Sequence, residues 1–235
     1  MSIYQLLTAF LLTLYAIGFV FFGVEKVLWQ TIPAVLATVA FGMVFDFLET
    51  KRWAFSPSVA ISGLIIGLTA QFLEKPPTLF LIGFLAMAVK FLIKLDGGHI
   101  FNPAASGLFL GQIFFSSYPS WWAGGVHWAI FLIWIPILMY KLKRWAPIAG
   151  FILPLVALEG IGILTSSSLL FFTSVMLIEP KTSPARVKPG LLYGFAVAVM
   201  YLIFKNMLTF DSLIISLLLG NLIARLLPKF KILSI

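Results

Sequence analysis

Long apolar runs, separated by short polar breaks, occupy almost the whole chain. Ten such segments are predicted, at about residues 4–23, 28–48, 57–73, 77–95, 101–117, 123–140, 146–163, 167–178, 190–206 and 211–227. Most of them are long enough, as α-helices, to cross a hydrocarbon core about 30 Å thick. The alternation of apolar and polar residues typical of membrane β-strands does not occur. The pattern therefore predicts an all-α, polytopic membrane protein with about ten transmembrane or half-membrane helices, in a single transmembrane domain over residues 1–235.

The composition agrees with this prediction and excludes several kinds of chemistry. Hydrophobic residues make up 61% of the 235 residues and charged residues only 10%, whereas soluble domains contain roughly 25% charged residues. The chain has no cysteine, which excludes disulfides and cysteine-ligated iron–sulfur clusters. No spacing of residues suits a metal site or a hydrolytic triad, and we expect His99 to be a helix-start or membrane-interface residue. The net charge of +8 is attributed to one face of the membrane and not to nucleic-acid binding.

The distribution of basic residues predicts the orientation in the membrane, because Lys and Arg are enriched on the cytoplasmic side. With a cytoplasmic N-terminus and ten crossings, 13 of the 16 Lys and Arg residues fall at inner ends. These residues are Lys51, Arg52, Lys90, Lys94, Lys141, Lys143, Arg144, Lys181, Arg186, Lys188, Arg225, Lys229 and Lys231. We therefore expect a multi-pass protein of the plasma membrane, in contact with lipid, with both termini cytoplasmic.

Short and interrupted segments predict an internal repeat. Residues 167–177 form a run of about 11 residues, roughly 17 Å of helix, which is too short to cross a membrane. Segments three and five are also short and open with Ser56-Pro57 and Asn102-Pro103. Discontinuous helices in matching halves are typical of inverted-repeat membrane folds with a central site. Ten segments divide into five and five, so we predict two inverted repeats in which segments three and eight correspond, as do segments five and ten.

Segments three and five share a pattern of small residues. Each contains a Ser-Gly pair, at 62–63 and 106–107, and a second Gly four positions after the first. The two glycines of each segment therefore lie on one face of a helix. Small residues on such a face allow close packing of membrane helices. They would also leave clearance for a flat ring, and both interpretations can hold together.

Polar helix starts indicate where a ligand would bind. In the predicted orientation, segments three, five and nine begin at the cytoplasmic side, where unpaired backbone N–H groups attract anions and polar groups. The loop 179–188 adds three cations and two hydroxyl groups at that side. It is either part of such a site or an ordinary cytoplasmic loop rich in positive charge. Glu159 is the most deeply embedded acid, and the sequence assigns it no partner.

Three motifs, in order along the chain, resemble one membrane family. Residues 101–105, Phe-Asn-Pro-Ala-Ala, resemble the Phe-Asn-Pro-Ala element of the polytopic, flavin-carrying membrane proteins shared by the Rnf complex and the Na⁺-translocating NADH:quinone reductase. Residues 176–184, Met-Leu-Ile-Glu-Pro-Lys-Thr-Ser-Pro, resemble the Asp-Pro-x-x-x-Pro element of that family, with Glu179 at the Asp position. Residues 211–221 resemble its last helix. The resemblance covers about residues 40–230.

The resemblance implies a membrane component of a redox pump that binds flavin and passes electrons within or across the bilayer. Members of the family carry a flavin mononucleotide bound through its phosphate to a Thr of a Ser-Gly-Ala-Thr motif, between segments five and six. That motif is absent from this chain, so a covalent flavin is not expected. The implied cofactor is FMN or riboflavin, bound non-covalently near the cytoplasmic side. The implied partners are other subunits of a membrane redox complex or a cytoplasmic flavin or iron–sulfur reductase.

The predicted flavin site combines residues that carry the resemblance with polar and small residues of segments three and five. These residues are Ser58, Ser62, Gly63, Phe101, Asn102, Pro103, Ser106, Gly107, Glu179, Lys181, Thr182 and Ser183. Aromatic and small residues would provide walls and clearance for the ring, and the polar residues would bind its edge and the ribityl hydroxyls. A small-solute channel or transporter built on inverted repeats is the alternative function, and a structural scaffold of a larger complex is a third.

Overall fold

The structure, a computed structural model, describes residues 2–125 and 128–226 and is mostly helical in these ranges. Its α-helices are α1 (Ile3–Phe22), α2 (Val24–Thr50), α3 (Pro57–Thr69), α4 (Pro76–Leu92), α5 (Pro103–Phe115), α6 (Ala129–Leu142), α7 (Trp145–Glu159), α8 (Ser167–Phe171), α9 (Val187–Phe204) and α10 (Ser212–Leu226). A hairpin of two short strands, β1 (Lys94–Leu95) and β2 (Gly98–His99), precedes α5. A π-helical turn, Phe172–Met176, continues α8.

Each predicted segment corresponds to one helix of the described ranges, with differences at the ends. Helix α5 begins at Pro103 rather than at residue 101, because the fixed φ of proline suits the first helical position. Helix α6 begins six residues later than predicted, since a separate 3₁₀ turn, Trp122–Gly125, precedes it and contains two glycines, which are poor helix formers. The predicted end of segment ten at residue 227, and Lys229 and Lys231, lie outside the described residues.

Three of the described helices, α1, α2 and α9, are long and apolar enough to cross a membrane. The other described helices are apolar but shorter. Helix α3, for example, has 13 residues and so extends only about 20 Å. A membrane location is therefore supported by the length and composition of three helices. The crossing of all ten segments and their inverted repeat stay predictions.

The chain divides into two compact units. Unit 1 contains α1 to α5, and within it α2 packs extensively against α3 and α4, while α4 also packs against α5. Glycines allow these helices to approach closely. A Cβ atom at Gly63 of α3 would lie 2.6 Å from the Cα atom of Val35 in α2, and one at Gly107 of α5 would lie 2.7 Å from the carbonyl oxygen of Ile82 in α4. Neither position can accept a side chain unless the helices separate.

The C-terminal end of α3 depends on hydrogen bonds from other elements of unit 1. Helix α3 stops after 13 residues, so its last carbonyl groups have no partner within the helix. The indole Nε1 of Trp122 donates to Gly67 O in the last turn. The Tyr15 hydroxyl donates to Leu64 O at 2.7 Å, and Gln30 Nε2 donates to Gln71 O, just after the helix, at 2.8 Å.

The segment before Trp122 provides further hydrogen bonds to the C-terminal end of α3. The backbone N–H groups of Ser120 and Trp121 both donate to Thr69 O at 3.1 Å, and the Ser120 hydroxyl donates to Ala70 O at 3.0 Å. Buried carbonyls left without a partner would cost about 1–3 kcal/mol each. The 116–122 segment therefore serves as a cap that allows α3 to end inside the unit.

Unit 2 contains α6 to α10 together with the segment Leu95–Asn102. Its most extensive packing is between α7 and α9, and α9 also packs against α10. Counted from the first helix of each unit, the second helix packs against the fourth and the fourth against the fifth in both units. Glycines again allow the close approach, because a Cβ atom at Gly194 of α9 would overlap with Pro147 O of α7. Glu159 at the end of α7 pairs with Lys205 at the end of α9, a partner that the sequence did not assign.

We expect Gly194→Ala to destabilise the protein by about 1–3 kcal/mol, because the new methyl group would meet backbone atoms that cannot rotate away. Gly162→Ala is the matched control in the same unit, since nothing lies within 4 Å of its Cβ position. Thermal unfolding in detergent micelles, followed by tryptophan fluorescence, measures both variants. Equal melting temperatures for the two variants would show that the close contact between α7 and α9 does not exist.

Candidate functional site

The candidate site is a set of buried, mutually hydrogen-bonded polar groups in unit 2, here called the polar network. Its first part connects the segment just before α5 with α10 and with the turn after α8. The backbone N–H of Asn102 donates to Asn221 Oδ1 at 2.9 Å, and the Asn102 side-chain Nδ2 donates to Met176 O at 3.4 Å. Asn221 Nδ2 donates to the Tyr193 hydroxyl at 2.9 Å. Asn102 is 2% exposed and Asn221 is fully buried, so these bonds satisfy groups that water does not reach.

The second part of the polar network is the turn that begins at Glu179. The backbone carbonyl of Glu179 accepts hydrogen bonds from the N–H groups of Thr182 and Ser183, at 3.2 and 3.0 Å, and from the Ser183 hydroxyl at 2.8 Å. The Thr182 hydroxyl donates to Glu179 Oε2 at 3.0 Å. The other carboxylate oxygen lies 3.4 Å from Nε2 of His99. The carboxylate of Glu179 is therefore held by a hydroxyl on one side and by an imidazole on the other.

Arg144, which immediately precedes α7, holds this turn in place. Its guanidinium donates to the backbone carbonyl and, at 3.1 Å, to the hydroxyl of Ser183, and it donates to Pro180 O at 2.9 Å. The pKa of Arg144 is lowered from its ordinary value because burial removes solvent from the guanidinium. An arginine still keeps its charge at neutral pH. The turn is thus fixed by a buried positive charge that donates to backbone and hydroxyl oxygens.

The polar network contains four of the residues that the sequence assigns to the site, namely Asn102, Glu179, Thr182 and Ser183. Phe101 is partly buried beside Asn102, and Lys181 is exposed on the turn. The structure therefore brings together, within unit 2, polar groups from the three motifs that carry the family resemblance.

The predicted site residues of unit 1 have other contacts. Ser58 Oγ accepts a hydrogen bond from the buried Lys90 Nζ at 2.8 Å, and the Ser62 hydroxyl donates to Ser58 O at 2.9 Å. The Ser106 hydroxyl donates to the carbonyl of Pro103 at 2.9 Å. The bond from Ser62 lies within α3, and the bond from Ser106 lies within the first turn of α5.

The glycines of unit 1 decide between the two interpretations of the small-residue pattern. The space beside Gly63 is filled by α2 and that beside Gly107 by α4. Close helix packing, the first interpretation, is therefore confirmed. Clearance for a flat ring, the second, is wrong at these two positions, because the neighbouring helix backbones occupy the space.

Sequence reasoning missed several members of the polar network: His99, Arg144, Tyr193 and Asn221. His99 lies in β2, 6% exposed, and not at a helix start. Arg144 resembles any basic residue at an inner helix end, and Tyr193 resembles any aromatic residue of an apolar helix. Asn221 offered the one usable signal, since a buried amide in the middle of a mostly apolar helix rarely lacks a hydrogen-bond partner.

No protein-family model matches the chain, and no curated protein matches it. The family resemblance accordingly depends on the three motifs and on how the structure arranges them.

We expect Arg144→Lys to loosen the 179–183 turn, because lysine keeps the charge but lacks the planar fork whose two nitrogens bind Ser183 and Pro180 separately. Loss of about 1.4 kcal/mol of hydrogen bonding would increase local opening of the turn roughly tenfold. Tryptic cleavage after the exposed Lys181 measures this opening. Lys141→Gln, which alters a neighbouring exposed cation, is the control and should cleave at the native rate. An unchanged rate for Arg144→Lys would contradict the role assigned to the guanidinium.

Proposed function

We propose that the chain is a flavin-binding membrane subunit of an electron-transfer complex. It would receive electrons from a cytoplasmic reductase or a neighbouring subunit and pass them on within or across the membrane. The observation that carries the proposal is the convergence of the three motifs in the polar network. Asn102 of the first motif bonds with Met176 of the second and with Asn221 of the third, although 74 and 119 positions separate them along the chain.

The chemistry of the polar network suits the edge of an isoalloxazine ring, which proteins tune through hydrogen bonds and nearby charge. Asn221 and Thr182 are bonded within the protein, and each keeps further hydrogen-bonding capacity, because an amide has two N–H donors and amide and hydroxyl oxygens each have two lone pairs. The buried positive charge of Arg144 would favour a reduced, anionic ring over the neutral oxidised ring. The exposed cations Lys181, Arg186 and Lys188 would attract the phosphate of FMN. Riboflavin would bind through the same polar groups without that attraction.

We propose further that all ten segments cross or enter the plasma membrane, as two inverted repeats with cytoplasmic termini. The order of helix packing supports the repeat, because the second helix of each unit packs against the fourth and the fourth against the fifth. The third helix of each unit is also irregular. Helix α3 stops after 13 residues, and α8 continues as a π-helical turn.

A small-solute channel or transporter is the second candidate function. It is favoured by the end of α3, where side chains and loop amides bind carbonyls of a helix that stops short. Interrupted helices at corresponding positions of two repeats are typical of secondary transporters with a midplane site. Backbone of this kind is tolerated at membrane depth where it lines an enclosed site.

Purified protein, produced in flavin-replete cells, should show the absorption spectrum of a flavin that acid denaturation releases. Asn102→Ala should lower the flavin content several-fold, because it removes the side-chain amide from the centre of the polar network. Asn206→Ala, at an exposed position, is the matched control and should keep the native content. Size-exclusion chromatography would verify that both variants remain folded.

A colourless preparation would contradict the flavin proposal. Solute flux through proteoliposomes without any redox partner would then favour the transporter. Flavin in the native protein that Asn102→Ala leaves unchanged would place the cofactor away from the polar network.

The proposed topology predicts opposite labelling of two exposed lysine positions. Since the chain has no cysteine, Lys51→Cys and Lys75→Cys each introduce a single thiol. A membrane-impermeant maleimide should label the first variant only in inverted vesicles and the second only in right-side-out vesicles. Labelling of both variants from the same side would contradict the crossing of α3, which lies between the two positions.

A further inference from the structure

An apolar groove of about 340 Å³ runs along α1 and α2 of unit 1. On α1 it extends from Leu12 to Phe19, and on α2 from Leu28 to Leu36, with the side chains of Tyr15 and Thr31 between them. Leu12 is 53% exposed and Leu36 is 59% exposed, so the groove is open at its side rather than enclosed.

The position of the groove determines the kind of molecule that fills it. Both helices are long and apolar enough to cross a membrane. The groove lies along the C-terminal half of α1 and the N-terminal half of α2, away from the polar loop that follows Thr50. At that depth the surroundings are hydrocarbon chains. A groove left empty would forfeit dispersion contacts along its walls, so a chain from the bilayer would occupy it.

The walls favour a hydrocarbon chain over a polar group. Leucines and other apolar side chains form most of the surface, and the hydroxyl donors of the two polar side chains are engaged in hydrogen bonds to backbone carbonyls. Tyr15 donates to Leu64 O at 2.7 Å, and Thr31 donates to Val27 O at 2.7 Å. Because these donors are already used, a head group or the polar edge of a ring would gain no hydrogen bond from them while losing water.

The length of the groove matches one leaflet. The stretches from Leu12 to Phe19 and from Leu28 to Leu36 each correspond to a helical rise of roughly 11 Å, which is most of the ~15 Å that one leaflet contributes to the hydrocarbon core. We propose that the groove seats one acyl chain of a phospholipid, lengthwise between α1 and α2. This lipid exchanges with the bilayer more slowly than the other lipids that contact the protein. The inference depends on the membrane location of α1 and α2 and is independent of the flavin proposal.

Photo-crosslinking tests the groove directly. The whole protein is reconstituted in phosphatidylcholine vesicles that contain a phosphatidylcholine with a diazirine midway along one acyl chain. After irradiation, mass spectrometry measures labelling at each residue. Leu12 and Leu36 should be labelled several-fold more than Leu132 of α6, which is similarly exposed at 58%.

A matched pair of variants extends the test. Leu36→Trp, which places a larger side chain over the groove, should reduce labelling at Leu12 to the level of Leu132. Leu48→Trp, at an exposed position of the same helix outside the groove, should leave labelling at Leu12 unchanged. Labelling that simply follows exposure in the native protein would overturn the proposal. So would displacement of the label by an isoprenoid quinone at amounts where unlabelled phosphatidylcholine has no effect, since the occupant would then be a quinone tail.

Discussion

Backbone polar groups that are buried away from water must find hydrogen-bond partners within the protein, because apolar surroundings offer none. The middle of a helix meets this requirement by itself, whereas the last carbonyl groups of α3, which stops after 13 residues, have no partner within the helix. Its carbonyl groups, and those just after it, are instead bound by Tyr15, Gln30, Trp122 and the amides of the 116–122 segment. Polar and aromatic residues in an apolar chain are thus placed where the backbone needs them.

The same requirement shapes the polar network of unit 2. The chain enters α5 through Asn102, whose backbone N–H needs a partner and finds one in the side chain of Asn221. The turn after the π-helical end of α8 is held by Arg144, which binds two carbonyls and a hydroxyl. Groups that satisfy irregular backbone therefore also create a concentrated set of donors, acceptors and charge. Such a set is the feature that a polar cofactor or solute requires, and it connects the fold with the proposed function.

The sequence predicts the helices well because each apolar run is bounded by strong local signals, such as Pro103 at the start of α5. Four of the residues that the sequence proposes for a flavin site lie in the polar network, and they could be proposed because the motifs that contain them are local. The partners of these residues could not be predicted in the same way. Asn102 and Asn221 are 119 positions apart, and nothing near Arg144 indicates that it reaches Ser183. The packing of Gly63 and Gly107 was predicted only as one of two alternatives, because a small-residue face does not say whether a helix or a ligand covers it.

Hydrogen–deuterium exchange of the protein in lipid nanodiscs tests the central claim most directly, namely that irregular backbone is satisfied from other elements. We expect the amides of Asn102, Ser120 and Trp121 to exchange as slowly as amides in the middle of α9, because each donates to a partner in another element. The exposed 3₁₀ turn Ile161–Thr165 provides the comparison for rapid exchange. Exchange of those three amides as fast as in this turn would contradict the account.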